Sequence, residues 1–225
     1  MIKAVIFDID GTLVDSADLH AHAWQEAFAK FGCDIAYETL RSQIGKGGDQ
    51  LLPEFLSAKE QEEYGKDLEK YRGELFKKKY MSQVKPFPRV RELLLRVKED
   101  GKQIALASSA KGDEIAIYKR IANIEDLVEE QTSADDAKRS KPHPDIFEAA
   151  LARLHDVDAE EAVTVGDSPY DAIAATKIRM ACLGVLSGGF PKADLLAAGC
   201  SEIYRDCGDL LDRYDQSLLA EKKVA

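Results

Sequence analysis

Asp8, Asp10, Ser108, Lys141, Asp167 and Asp171 are the residues whose types and spacing could carry chemistry. Asp8 and Asp10 lie in the stretch Ala4-Val5-Ile6-Phe7-Asp8-Ile9-Asp10-Gly11-Thr12-Leu13. Its apolar opening, β-branched and aromatic, reads as a short buried strand. The strand meets Asp8, a charge that a core does not tolerate without a partner, and Gly11-Thr12 turns the chain. Two carboxylates delivered to a turn at the C-terminal end of a buried strand have the geometry of an α/β active site. A plain strand end with solvated aspartates would carry the same letters. Ile104-Ala105-Leu106-Ala107 and Ala162-Val163-Thr164-Val165 read as further buried strands, ending in Ser108-Ser109 and Gly166-Asp167. In a parallel sheet these ends share one edge and can converge. Lys141, in Ser140-Lys141-Pro142-His143-Pro144-Asp145, supplies a cation. Two or three carboxylates, a hydroxyl and a lysine suit a phosphate monoester held with Mg²⁺, which takes oxygen ligands and keeps several waters. The lysine offsets phosphate charge and the hydroxyl donates to a phosphate oxygen. Ser168-Pro169-Tyr170-Asp171 also spells a helix capping box, which gives Asp171 a structural reading.

The elements that must position these residues alternate. A helix is expected from about Ala17 to Phe31, with Ala23, Trp24, Ala27, Phe28 and Phe31 on one stripe and Gly32 as its stop. His20 shares that stripe, as a hydrogen-bonded core residue or a site contact. From Asp15 to Lys85 there is almost no strand signal, and the stretch reads as a small helical bundle closed by Pro86-Phe87-Pro88. Within it, Ile44-Gly45-Lys46-Gly47-Gly48-Asp49 could present backbone N–H groups and a cation to a small anion, or be a flexible helix–helix turn. Lys77-Lys78-Lys79 reads as a solvated helix face.

From Pro86 onward the pattern is β-α-β. Helices are expected over Val90 to Val97 and Ile115 to Ile121. Another is expected over Ile146 to Leu154, opened by Pro144, and one more starts at Ser168-Pro169. Strands are expected at Leu127-Val128, Met180 to Val185 and Glu202-Ile203-Tyr204. Alternating strands and helices mean an α/β fold with a mostly parallel, doubly wound sheet and its site at the strands' C-terminal edge.

Composition bounds the rest. The chain has 225 residues, 45% hydrophobic and 32% charged, which fits a globular protein with one large domain, or a core and an insert. A net charge of −10 argues against nucleic acid as a bulk electrostatic partner. It leaves an anionic substrate open, since a local cation or metal can reverse the field. Cys33, Cys182, Cys200 and Cys207 lack C-x-x-C spacing and read as apolar fillers. No signal-like or membrane-spanning run is seen, so the expectation is a cytoplasmic protein without a membrane partner.

The segment Asp8-Ile9-Asp10-Gly11-Thr12-Leu13-Val14-Asp15 resembles the first motif of the haloacid dehalogenase superfamily. Ser108, Lys141 and Gly166-Asp167-Ser168-Pro169-Tyr170-Asp171 stand in the order and spacing of its second, third and fourth motifs. The chain is similar to subfamily I hydrolases of the phosphoglycolate phosphatase-like and β-phosphoglucomutase-like kinds. The resemblance implies a Rossmann-like α/β core at 1–14 and 86–225 and an inserted all-helical cap domain at 15–85. It also implies a Mg²⁺-dependent phosphomonoester hydrolase acting on a small phosphorylated metabolite; a monomer or a homodimer is expected, with the choice left open. Asp8 would be the nucleophile and Asp10 the acid/base. Asp8, the Asp10 carbonyl and Asp167 would bind Mg²⁺, with Asp171 as a supporting residue or a further ligand. Ser108, the Ser109 N–H and Lys141 would bind the phosphoryl group. His20, Lys46 and Arg72 would be cap contacts to substrate, and Asp15 a structural hinge residue. The presence of Asp10 disfavours halide displacement. A sugar-phosphate mutase is the first alternative, although Gly166 and Gly48 stand where the mutase has a glutamate and near its clamping arginine. A catalytically silent phosphate binder is the second.

Overall fold

The first apolar run forms β1, Ala4–Phe7, with every residue buried. The computed structural model describes residues 1–128 and 130–220. After β1 come β2 (Val14–Asp15), β3 (Lys85–Pro86), β4 (Gln103–Ala107), β5 (Glu130–Thr132), β6 (Ala162–Gly166), β7 (Ala181–Val185) and β8 (Glu202–Tyr204). Six of these form a sheet in the order β5-β4-β1-β6-β7-β8, with every pairing parallel. β1 lies centrally and is buried on both faces, which explains its unbroken apolar run. Val5 and Phe7 pack into one core layer, Ala4 and Ile6 into the other. Phe7 is level with Leu106 of β4 and Val165 of β6. One to three residues further on, the three chains deliver Asp8 and Asp10, Ser108, and Asp167 to the same edge.

β2 and β3 pair antiparallel, Asp15 opposite Lys85, so the chain leaves the core and returns through one two-stranded ribbon. Asp15 is exposed there. Between these strands the assigned elements are helical, chiefly Ala17–Lys30 and a long run from Ala58 to Tyr80 with widened turns at Gln61–Gly65 and Phe76–Tyr80. Ala21, Trp24, Phe28, Leu40, Leu51 and Leu68 give this block its own apolar cluster. Ala23, Phe76 and Tyr80 instead join the larger core cluster, so the base of the block is anchored to the sheet domain.

Two expectations are corrected. The strand expected at Leu127-Val128 begins later, at Glu130, and is the polar edge strand β5. Leu127 instead plugs the core from a turn, its N–H donating to the Ile124 carbonyl at 3.1 Å. The helix expected to end at Leu154 ends at Leu151, and Pro144 precedes it as its cap rather than lying in its first turn. The four cysteines are unlinked, and three of them are buried. Among the described residues no helix is long and apolar enough to cross a membrane.

Candidate active site

Asp8 is 5% exposed and held from both sides. Thr12 Oγ1 donates to its Oδ2 at 3.0 Å, and the Lys141 ammonium donates to its Oδ1. Lys141, itself buried, also donates to Asp171 Oδ1 at 2.8 Å. Burial pushes the Asp8 carboxyl up to about 7; Lys141 opposes this, and repulsion from Asp171 and Asp10 adds to it. Burial alone would lower the Lys141 ammonium, but Asp171 and Asp8 hold it above the usual lysine range.

Asp167 is buried, and its nearest donor is Thr12 Oγ1, at 3.4 Å. Burial, then repulsion from Asp8 and Asp171, raises its carboxyl well above the usual range. Bare backbone makes room for it. A Cβ on Gly188 would fall 1.6 Å from Asp167 Oδ2, and one on Gly11, whose φ is +86°, would fall 2.4 Å away. Gly188→Ala is therefore expected to displace Asp167 and lower turnover by about tenfold, equivalent to about 1.4 kcal/mol. An unchanged Mg²⁺ half-saturation in that variant would contradict this.

Asp171 performs two tasks at once. Its Oδ2 accepts from Ser168 N at 3.1 Å and Ser168 Oγ at 2.6 Å, completing the capping box of the Pro169–Lys177 helix. Its Oδ1 faces Lys141. Asp8, Asp167 and Asp171 each offer a buried oxygen within 4.8 Å of the others. Three such carboxylates against one lysine, one of them poorly supplied with donors, form a donor set that fits a hard divalent cation.

Asp10 lines the same cleft. Ser16 Oγ donates to its Oδ1 at 2.6 Å, His20 Nε2 lies 2.9 Å from the same oxygen, and Ser108 Oγ lies 3.4 Å from Oδ2. Burial pushes this carboxyl up, but His20 and Ser16 outweigh it and hold it below the usual range. His20 stacks on Phe76, ring centres 3.9 Å apart, and its Nε2 is 3.2 Å from the Tyr118 hydroxyl. Sequence reasoning missed Tyr118, because it lies on the apolar stripe of the Gly112–Ile121 helix and reads as core.

The structure brings His20, Lys46 and Arg72 to the same cleft as Asp8, Asp10, Ser109 and Lys141. Lys46 is already engaged, donating to Gln43 Oε1 at 2.6 Å and Glu54 Oε1 at 2.7 Å. The glycine-rich loop around it packs against the sheet domain. A Cβ on Gly47 would meet Ser140 Oγ at 2.1 Å, and Gly45, at φ +109°, would meet Ser168 Oγ at 2.7 Å. Those glycines serve close approach. Further contacts tie the helical block down: the Tyr170 hydroxyl donates to the Ser42 carbonyl at 2.6 Å, Ser140 N to Asp49 Oδ2 at 3.0 Å, and Arg41 to the Gly188 carbonyl. Sequence reasoning also missed Arg41, since contacts so distant in sequence have no local signature.

A buried carboxylate, a second carboxylate two residues on, a buried lysine and strand-end hydroxyls are a set of groups that could support attack at phosphorus. Comparisons with known proteins agree with that chemistry. A family model described as haloacid dehalogenase-like hydrolase matches residues 5–185. The chain is 33% identical over 192 residues to phosphoglycolate phosphatase of Yersinia pestis, covering 83% of this chain and 82% of that protein. It is 32% identical over 216 residues to the chloroplastic protein Suppressor of Quenching 1 of Arabidopsis thaliana, covering 93% of this chain and 20% of that protein. The chain thus spans a fifth of the plant protein's length. A crystal structure of a hydrolase from Pseudomonas syringae superposes with a TM-score of 0.86 at 27% identity, covering 95% of this chain and 98% of that one.

Proposed function

The chain belongs to the haloacid dehalogenase-like hydrolase family, as one of its phosphatases, and on that premise we propose that it hydrolyses a small phosphorylated metabolite through an aspartyl phosphate on Asp8. The observation that carries this reading is the seating of Asp8, a buried carboxylate between the Thr12 hydroxyl and the Lys141 ammonium with Asp10 lining the same cleft. Asp8 attacks phosphorus, and the bond from phosphorus to the ester oxygen breaks. Asp10 gives the leaving oxygen its proton, then takes one from the water that attacks the aspartyl phosphate. A phosphate entering beside Asp10 raises its proton affinity and so opposes the pull of His20. Ser108 Oγ, the Ser109 N–H and Lys141 hold the phosphoryl oxygens. Asp8, Asp167 and the Asp10 carbonyl, with Asp171 alongside, would hold Mg²⁺, which supplies charge neutralisation between the nucleophile and the phosphate. Glycolate and sugar leaving groups are the classes in view, on a cytoplasmic enzyme that is monomeric or homodimeric.

The test is release of inorganic phosphate from a generic aryl phosphate with Mg²⁺, with hydroxylamine trapping of an acyl phosphate on Asp8. Turnover without a trappable adduct would remove the covalent step.

Hydrolysis is favoured over phosphoryl transfer between sugar positions. A Cβ at Gly166 would lie 2.6 Å from the Asp171 Cβ and Cγ, so the glutamate that the mutases carry there has no room beside this Asp171. β-Glucose 1-phosphate is therefore expected to be ignored or converted to glucose and free phosphate. Glucose 6-phosphate accumulating without stoichiometric inorganic phosphate would reverse that assignment.

A further inference from the structure

We infer that Arg72 and Ser109 form a second oxyanion subsite, so that the preferred substrate is a phosphate monoester whose short leaving group carries another negative charge. This rests on the phosphatase reading and deepens it. In a chain of net charge −10, acids are plentiful. Every other arginine among the described residues has a carboxylate within ion-pair distance. Among the described residues Arg72 has neither a carboxylate nor a carbonyl as a partner, and its Nε is buried without one. The Ser109 hydroxyl is likewise buried and unpartnered. An unsatisfied buried donor costs about 1–3 kcal/mol, more when charged, so two at one place point to a ligand that completes them.

Their position says which part of the ligand that is. Both residues line the cleft that holds Asp8 and Lys141, and both line an adjoining cavity with Lys77 and Lys111. They therefore stand at the junction, where the Ser109 side chain and the Arg72 guanidinium lead on from the Ser109 N–H assigned to the transferring phosphoryl. The Arg72 guanidinium lies over the Trp24 ring, 4.8 Å from its centre, which presets its plane and leaves its donors open. A guanidinium beside a hydroxyl donor matches a carboxylate or a phosphate. Lys77 does not compete for it, because its ammonium is 2.5 Å from Asp113. The rest of the adjoining cavity mixes Glu69, Glu74 and Glu114 with Lys70, Lys77 and Lys111, so its charges offset and single out no deeper anion site. The unpartnered donors thus place the second charge at the junction, close to the transferring phosphoryl, which calls for a short leaving group.

The test uses the Asp8→Asn variant, so that affinity is read without turnover, with three ligands titrated calorimetrically. 2-Phosphoglycolate and 2-hydroxyethyl phosphate match in size and differ in a carboxylate against a hydroxymethyl; ethane-1,2-diyl bisphosphate distinguishes phosphate from carboxylate as the second anion. At least one anionic ligand is expected to bind about tenfold tighter than the neutral one. Adding Arg72→Met, which keeps apolar contact with Trp24, should bring that ratio to within about twofold, and Arg72→Lys should retain part of it. Ser109→Ala, which deletes only a hydroxyl, should lower it about threefold and serves if Arg72→Met does not fold. A ratio near one in the parent, a ratio that survives these changes, or no binding of any of the three overturns the subsite. Wild-type hydrolysis of an aryl phosphate, measured alongside, reports separately on the phosphatase reading.

Discussion

Asp8→Asn is expected to lower kcat by at least about 10⁴-fold while the protein stays folded, because an amide cannot form the phosphoenzyme. The substitution is nearly isosteric. Thr12 can still donate to the amide oxygen, and Lys141 keeps Asp171 at 2.8 Å. The stability change has a definite sign. Burial raises the Asp8 carboxyl to about 7, whereas an unfolded aspartate titrates at about 3.9. Between those values the folded state binds the extra proton, so this group's contribution to stability falls as pH rises through the window. Removing the carboxyl removes that penalty, and Asp8→Asn should gain more in Tm at pH 8 than at pH 5, relative to wild type. Steady-state kinetics and two thermal melts decide it. Activity within about tenfold of wild type would end the nucleophile assignment, since a true nucleophile contributes far more.

Sequence reading succeeded where function leaves a periodic or local mark. The unbroken apolar runs of β1 and β6 announce strands buried on both faces, and the polar residues after them follow from parallel register. The capping box at Ser168 to Asp171 is local, so both halves of it could be read directly. What failed was non-local or masked by burial. β5 is polar because it lies at the sheet edge, and the apolar Leu127 beside it serves a turn. Tyr118 reaches His20 across 98 residues, and its ring reads as core because its ring is core. Lys46 looked free because Glu54, its partner, lies on another turn of the same block. Arg72 needed the reverse comparison: its meaning comes from the partners that it lacks, which no spacing rule reports.

Lys141→Met should be the most destabilising single change in the site, at about 3–5 kcal/mol near pH 8, because it leaves buried carboxylates without their cation. Asp8 and Asp171 both lose a donor, with Asp167 already poorly compensated beside them. The lysine itself does not titrate in the range tested. Its folded pKa lies above the ordinary value, so its stabilisation is fully present below the unfolded value of about 10.4. The pH dependence therefore comes from its partner. At pH 5 the Asp8 carboxyl, raised to about 7 by burial, is protonated in the folded state and needs the cation less. The loss on removing Lys141 should accordingly be smaller at pH 5 than at pH 8. Two additions should repair the variant. Mg²⁺ should raise its Tm more than that of wild type, because a divalent ion replaces the missing charge. Asp8→Asn placed on top should recover part of the loss, giving a coupling of about 1–3 kcal/mol in a double-mutant cycle. Phosphatase kcat/KM should fall by about 10²–10³ at either pH, since a donor to the phosphoryl oxygens is gone. Denaturant melts at both pH values provide the check. A loss that is equal at pH 5 and pH 8, or a double variant whose effects simply add, would show that Lys141 holds the loop by packing and not by charge.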